Sequence, residues 1–277
     1  MTRDRLSDRL RRTPREAPRC ALVTGASGGI GEAFARALPD TTRLVLTGRN
    51  EDKLSLLRAE IGPRAETVVA DLGSEDGVAR VAEAAEAAGC DLLINNAGLG
   101  ALGDFLSVDL AAHRTALRVN VEAVLELTHR LTPGMIERAD REARRAGVIN
   151  VASSVAFVPV PSFATYAATK ALILSFTEAF AAEMADAPVD VLCACPGAVR
   201  TGFGARSGYG SAFPGAMSPE KVARTALAAL GRQTTVMIGP VSTATLAPVA
   251  LARSMVGQAF HRAGKVIDRV QDRQRRG

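Results

Sequence analysis

Residues 166–170 read YAATK, which puts Tyr166 four residues before Lys170. On a helix that spacing places both side chains on one face, one turn apart. A cation beside a phenol favours the phenolate and lowers a pKa that ordinarily lies near ~10. A tyrosine held that way can exchange a proton with a substrate close to neutral pH. The same five residues also suit ordinary helix surface. Their chemistry therefore depends on what else the chain brings near them.

A second candidate is TGASGGIG, residues 24–31, between a short apolar run and an amphipathic stretch. Glycines where a strand turns into a helix let the backbone approach a pyrophosphate, and the helix N-terminus supplies N–H donors and a positive dipole. The spacing here is G-x-x-x-G-x-G, through Gly25, Gly29 and Gly31, not G-x-G-x-x-G. A tight turn with small residues for packing is the plainer alternative. Cys193 and Cys195 stand two apart, so on a strand they share a face and could bind a metal. With three histidines, all distant in sequence, a buried strand pair fits better, and no metal site is expected.

The elements that must position these residues follow from apolar patterning. Strands are predicted at the run before TGASGGIG, then at 43–49, 66–72, 91–98, 147–154, 189–197 and 234–240. Helices are predicted between them: after the Gly-rich turn, over EDKLSLLRAEIG, and from Ser74 to Gly89. A mostly helical stretch spans 107–145, interrupted around Pro133-Gly134, and long and short helices cover 163–185 and 218–230. Apolar strands alternating with helices imply α/β architecture: one doubly wound Rossmann-type domain, its seven-stranded parallel sheet covered on both faces.

A chain of 277 residues with 47% hydrophobic and 23% charged residues suits one large soluble domain. Four cysteines without a CxxC spacing point to a reduced, cytoplasmic protein. No apolar run is long enough to span a bilayer, and MTRDRLSDRLRRTPREAPR lacks the apolar centre of a secretory signal. The net charge of +5 sits at the ends: residues 1–19 carry +4 and 250–277 carry +5, so the middle is mildly acidic. Such tails can touch nucleic acid or anionic lipid, but solvated or locally packed ends are the commoner case. We expect neither partner. The chain divides into a basic, mobile arm (1–19), a catalytic domain (20–240) and a basic helical extension (241–277).

Taken in order, TGASGGIG, Asp71-Leu72, NNAG at 95–98, the asparagine of RVNVEA, Ser153, YAATK and PGAVRT at 196–201 resemble the short-chain dehydrogenase/reductases. The likeness is to their short type (about 250 residues) and covers roughly residues 20–240. It implies an oxidoreductase that moves a hydride between a nicotinamide and a ketone, aldehyde or secondary alcohol. Tyr166 would be the acid/base, Lys170 would lower its pKa and hold the nicotinamide ribose, and Ser153 would polarise the substrate oxygen. In the family that serine lies thirteen residues before the tyrosine, which favours Ser153 over Ser154. Asn120 would kink its helix and place a water in a proton relay.

The same resemblance assigns the cofactor's contacts. Gly25, Ser27, Gly29, Ile30 and Gly31 would cradle the pyrophosphate, and Asp71 and Leu72 would flank the adenine. Asn96, Ala97 and Gly98 would run along the cofactor, and Pro196, Gly197, Val199 and Thr201 would embrace the nicotinamide. Asn95 is expected to stabilise the sheet. The second strand ends Thr47-Gly48-Arg49, without the acid that would accept the adenosine ribose hydroxyls of NAD(H). A guanidinium there can pair with a 2′-phosphate, so Arg49 favours NADP(H) over NAD(H). Gly28 occupies a site where some NADP-using relatives carry a second basic residue.

The expected substrate is a small carbonyl or alcohol, apolar or mixed, facing Phe157, Val158, Phe163, Phe203, Phe213 and Met217. The glycine-studded segment 202–217 is expected to act as a lid, with Arg206 solvent-facing. A homodimer or homotetramer through the long helices around 107–131 and 163–185 is expected from the resemblance. The competing function is a non-catalytic NADP(H)-binding sensor or regulator on the same fold.

Overall fold

The structure is a computed structural model that describes residues 16–203 and 216–239, together with 243, 244, 246, 248 and 249. Seven strands form one parallel sheet: β1 (Cys20–Thr24), β2 (Arg43–Gly48), β3 (Ala65–Val69), β4 (Leu92–Asn95), β5 (Ala146–Val151), β6 (Val189–Pro196) and β7 (Thr235–Ile238). Their order is β3-β2-β1-β4-β5-β6-β7. The chain runs outward from β1 to β3, then returns to the other side of β1 for β4. The strand order therefore reverses between β1 and β4, and the crevice outside the carboxyl ends there is where such sheets bind ligands.

Helices cover both faces because the strands are apolar on both. On one face, α1 (Gly29–Ala37), α2 (Glu51–Ile61) and α7 (Pro219–Ala229) bury Phe34, Leu54 and Val222 against Val23, Leu46 and Ile94. On the other, α3 (Glu75–Ala87) and α5 (Ala123–Glu142) bury Val81, Leu127 and Met135 against Leu22 and Leu93. Beside them α6 (Ala164–Glu183) packs Ile173 and Leu174 over Cys193 and Cys195. The two cysteines are a buried strand pair with sulfurs 3.7 Å apart, as the apolar alternative anticipated. Several helix starts carry the side-chain caps their sequences offer: Asn50, Ser74 and Ser218 each accept a backbone N–H of the first turn.

The break expected at Pro133 is elsewhere. α5 runs through Pro133 without interruption. Pro133 and His129, whose carbonyl loses its usual partner, are both exposed, so water can serve the freed group. The irregularity falls earlier, where α4 (Leu110–Leu117) passes into a wider π turn over Arg118–Glu122 that contains Asn120. Of the segment 1–19, residues 16–19 lie against the domain. Thr42 donates to the Pro18 carbonyl at 2.7 Å, and Arg19 pairs with Glu142 at 2.6 Å. Of the expected helices of 241–277 only residues 243, 244, 246, 248 and 249 are described, and most of the expected lid, with Arg206 and Phe213, falls outside the described residues.

Candidate active site

The loops after the strands' carboxyl ends surround a cavity of about 800 Å³. Its floor is the turn after β1. Gly25 has φ +67°, a left-handed conformation that favours glycine. Gly31 lies beneath it: an added β-carbon would stand 2.3 Å from the Gly25 carbonyl and 2.6 Å from Asn96 Nδ2. The turn is braced from β4, since Asn96 Nδ2 donates to the Thr24 carbonyl at 2.8 Å. Thr24 Oγ1 accepts from the backbone N–H groups of Asn96 and Ala97 at 2.9 and 3.0 Å. Thr201 packs over Gly29, so the segment after β6 closes on the Gly-rich turn.

The structure brings most of the expected residues to this cavity. Gly25, Ser27, Gly29 and Ile30 line it from the turn, and Arg49 from the end of β2. Asp71 and Leu72 follow β3, and Asn96, Ala97 and Gly98 follow β4. Ser153, Tyr166 and Lys170 face it from the β5–α6 side, and Pro196, Gly197, Val199 and Thr201 from beyond β6. Two stand back from it. Gly31 serves by permitting the close packing just described. Asn120 is buried, with its side-chain amide joined to the Leu99 backbone at 2.8 and 2.9 Å and to Thr169 at 3.1 Å. Asn95 turns to a buried network, donating to Thr128 and Asn150 at 3.1 and 2.9 Å.

At the end of the cavity away from Arg49, β5 and α6 converge. Ser153 is buried, and its hydroxyl meets Tyr166 in a hydrogen bond, accepts from Val155 N–H at 3.4 Å and reaches the Pro196 carbonyl at 3.5 Å. Tyr166 is half-buried, with the Phe203 ring centroid 5.3 Å from its own. Burial pushes its phenol up to about 12, against a downward pull from Ser153. The expected depression by the lysine does not govern this phenol. Lys170 lies 5.7 Å from the ring centroid and donates to the Val151 carbonyl at 2.9 Å. Its own pKa falls to about 8 because burial penalises the ammonium, although Cys193 and Cys195 oppose that shift. At neutral pH the pair is thus a neutral phenol beside a charged amine, an arrangement able to donate a proton.

Sequence reasoning missed Lys53, which joins Arg49 and Asn50 on the cavity wall at the β2 end. Its signal was present: four residues after Arg49, in the first turn of a helix starting at that rim. Neither Arg49 nor Lys53 forms an ion pair among the described residues. Leu102 and Val160, from segments 99–105 and 155–163 that the sequence places around the substrate, also line the cavity, and Val119, which was not singled out, joins them. Of the expected substrate-facing residues, Phe163 and Phe203 line it, whereas Phe157 and Met217 pack into the core and Val158 is exposed to solvent. Apolar residues that follow a strand serve core and pocket alike, and sequence proximity does not separate the two.

The family model for short chain dehydrogenases matches residues 19–209. Nodulation protein G of Rhizobium sp. (strain N33) is 40% identical over 186 residues, covering 66% of this chain and 74% of that protein. Among solved structures, 3-ketoacyl-(acyl-carrier-protein) reductase from Brucella melitensis, complexed with NADH, superposes with a TM-score of 0.71. It is 28% identical and covers 79% of this chain and 96% of that one. A short-chain dehydrogenase from Sphingobium yanoikuyae, in complex with NADPH, gives a TM-score of 0.74 at 25% identity, covering 90% and 95%. No helix among the described residues is long and apolar enough to cross a membrane. With its Gly-rich turn, seven-stranded sheet and Ser-Tyr-Lys cluster in one cavity and the family model matched over most of the domain, the chain belongs to the short-chain dehydrogenase family, whose members are oxidoreductases.

Proposed function

We propose that the protein is an NADP(H)-dependent oxidoreductase that interconverts a small ketone or aldehyde with its alcohol. The observation that carries this reading is the continuity of one cavity: cationic Arg49 and Lys53 at one end, Ser153, Tyr166 and Lys170 at the other, and the Gly25 turn between. A bound nicotinamide dinucleotide supplies the hydride. The turn and the α1 N-terminus suit its pyrophosphate, with Gly31 allowing the close approach and Asp71 and Leu72 beside the adenine. Asn96, Ala97 and Gly98 run along it, and Gly197, Val199 and Thr201 enclose the nicotinamide end.

Ser153 and Tyr166 hold the substrate oxygen between two hydroxyls, and Tyr166, neutral at physiological pH, gives up its proton to that oxygen. Lys170 orients toward the same end and stands ready to restore the proton. Asn120, on its π turn, fixes the Leu99 loop and Thr169 of α6 relative to each other, and so positions the lysine's helix. Phe163, Phe203, Leu102 and Val160 favour an apolar or mixed substrate. Exposed Leu110 and Leu117 on α4 and Leu172 on α6 support a homodimer or homotetramer through these helices. A cytoplasmic, reduced setting completes the reading.

Cofactor choice rests on a guanidinium, with no carboxylate at positions 47–49. Equilibrium binding of NADPH and NADH, followed by nicotinamide fluorescence, tests it. The wild-type chain should bind NADPH more tightly, and Arg49→Asp should shift the ratio toward NADH by about a hundredfold. An unchanged ratio would overturn the assignment of Arg49.

A further inference from the structure

At the end of the sheet opposite the cofactor cavity, Cys20 opens β1 and Cys90 precedes β4, the strand beside it. Their sulfurs lie 3.1 Å apart, well inside the usual contact of two unbonded sulfurs, and both thiols are free and buried. The backbone around them is tied down: Asp91 accepts the N–H groups of Arg19 and Cys20 at 3.0 and 3.1 Å, and Arg138 donates to the Cys90 carbonyl at 2.6 Å. The residues flanking both cysteines, Arg19, Gly89 and Asp91, form part of the wall of a second cavity of about 210 Å³. Arg43, Arg138 and Arg144 also line it. This cavity provides a polar, cationic vestibule one residue from each thiol.

We propose that Cys20 and Cys90 form a reversible modification site, closed to a disulfide by a hydroperoxide that enters through the arginine-lined cavity. Cys20 ionises first, because its thiolate accepts the Cys90 S–H and lies near the Arg43 guanidinium. Cys90 is held protonated by that same hydrogen bond and by burial. The Cys20 thiolate attacks the peroxide oxygen, forming Cys20 sulfenic acid and releasing the other oxygen as hydroxide or alkoxide, which takes up a proton. The Cys90 sulfur then attacks the Cys20 sulfur and expels water, its own thiol proton going to the leaving hydroxyl. Two thiols are oxidised, and one peroxide is reduced.

The protein carries its own control. Cys193 and Cys195 are equally buried but sit two apart on one strand, 3.7 Å between sulfurs, with side chains side by side. Parallel side chains on one strand fit the Cβ–S–S–Cβ geometry poorly, and, unlike Cys20 and Cys90, neither residue of that pair has a chain neighbour in the wall of the arginine cavity.

The test treats the native full chain with hydrogen peroxide, then unfolds it in an alkylating reagent and maps the cysteine peptides by mass. We expect the Cys20 and Cys90 peptides joined, Cys193 and Cys195 alkylated, and the link undone by dithiothreitol. The oxidised chain should also unfold at higher denaturant than the reduced chain, a difference that Cys90→Ala removes. Recovery of Cys20 and Cys90 both alkylated after peroxide overturns the proposal. So does a link that forms only at denaturant concentrations where the chain is already unfolded.

Discussion

At the amino ends of the strands, Arg145 meets Asp190 at 2.8 Å and Arg19 meets Glu142 at 2.6 Å, while Arg144 pairs with Glu16. At the carboxyl ends, Lys170 is buried against a backbone carbonyl and two thiols, and Arg49 and Lys53 face a cavity without an ion pair among the described residues. One sheet thus treats its cations in two ways. Where a charge is matched by a carboxylate, the arrangement stabilises the fold. Where a charge is buried without one, as at Lys170, it costs stability, whereas the exposed Arg49 and Lys53 carry no such cost.

Substitutions at each end sharpen or break this contrast. The largest effect is expected from Gly31→Ala, whose methyl would press on the Gly25 carbonyl and Asn96. Dinucleotide affinity should fall by more than about a hundredfold, with a stability loss of about 1–3 kcal/mol. Near wild-type binding in this variant would show that the turn is not the phosphate cradle.

Lys170→Met comes next, and it should move two quantities in opposite directions. Turnover should fall by about a hundredfold or more, whereas stability without ligand should rise. The lysine's pKa is lowered from 10.5 to about 8, so the folded chain sheds this proton before the unfolded chain does. Below pH 8 the buried ammonium therefore costs stability, about 3 kcal/mol at most, and the cost fades as pH rises toward 10.5. Denaturant titrations of both chains near pH 7 and pH 10 should show the variant's advantage shrinking with pH. An advantage that is the same at both would contradict the account.

The smallest effect belongs to the other end. Arg145→Ala leaves Asp190, itself mostly buried, without this guanidinium, and should destabilise the chain by about 1–3 kcal/mol. NADPH affinity should not change. A weakened affinity would erase the distinction between the two ends.

Much of this division was legible in the sequence. Strand and helix alternation fixed the architecture, since each element's apolar period is local. The cavity's residues came mainly from positions just after strands, which parallel sheets place at one edge. What escaped notice depended on contacts. Lys53 reaches the cavity because α2 starts at its rim, while Phe157 and Met217 turn inward, and no spacing distinguishes these outcomes. Pro133 looked like a helix break, yet its exposed position lets α5 continue, and the irregularity falls at Asn120, in a run with no proline or glycine. The Tyr166–Lys170 spacing was right about proximity but not about which force governs the phenol, because burial cannot be read from four residues of spacing.

The most direct measurement is NADPH oxidation by the wild-type chain and by Tyr166→Phe across a panel of aliphatic and aromatic ketones, aldehydes, 3-oxoacyl thioesters, quinones and steroids. The account predicts turnover with at least one class, a fall of about a thousandfold or more in the variant, and NADPH binding retained by both. Turnover undiminished in Tyr166→Phe would contradict it.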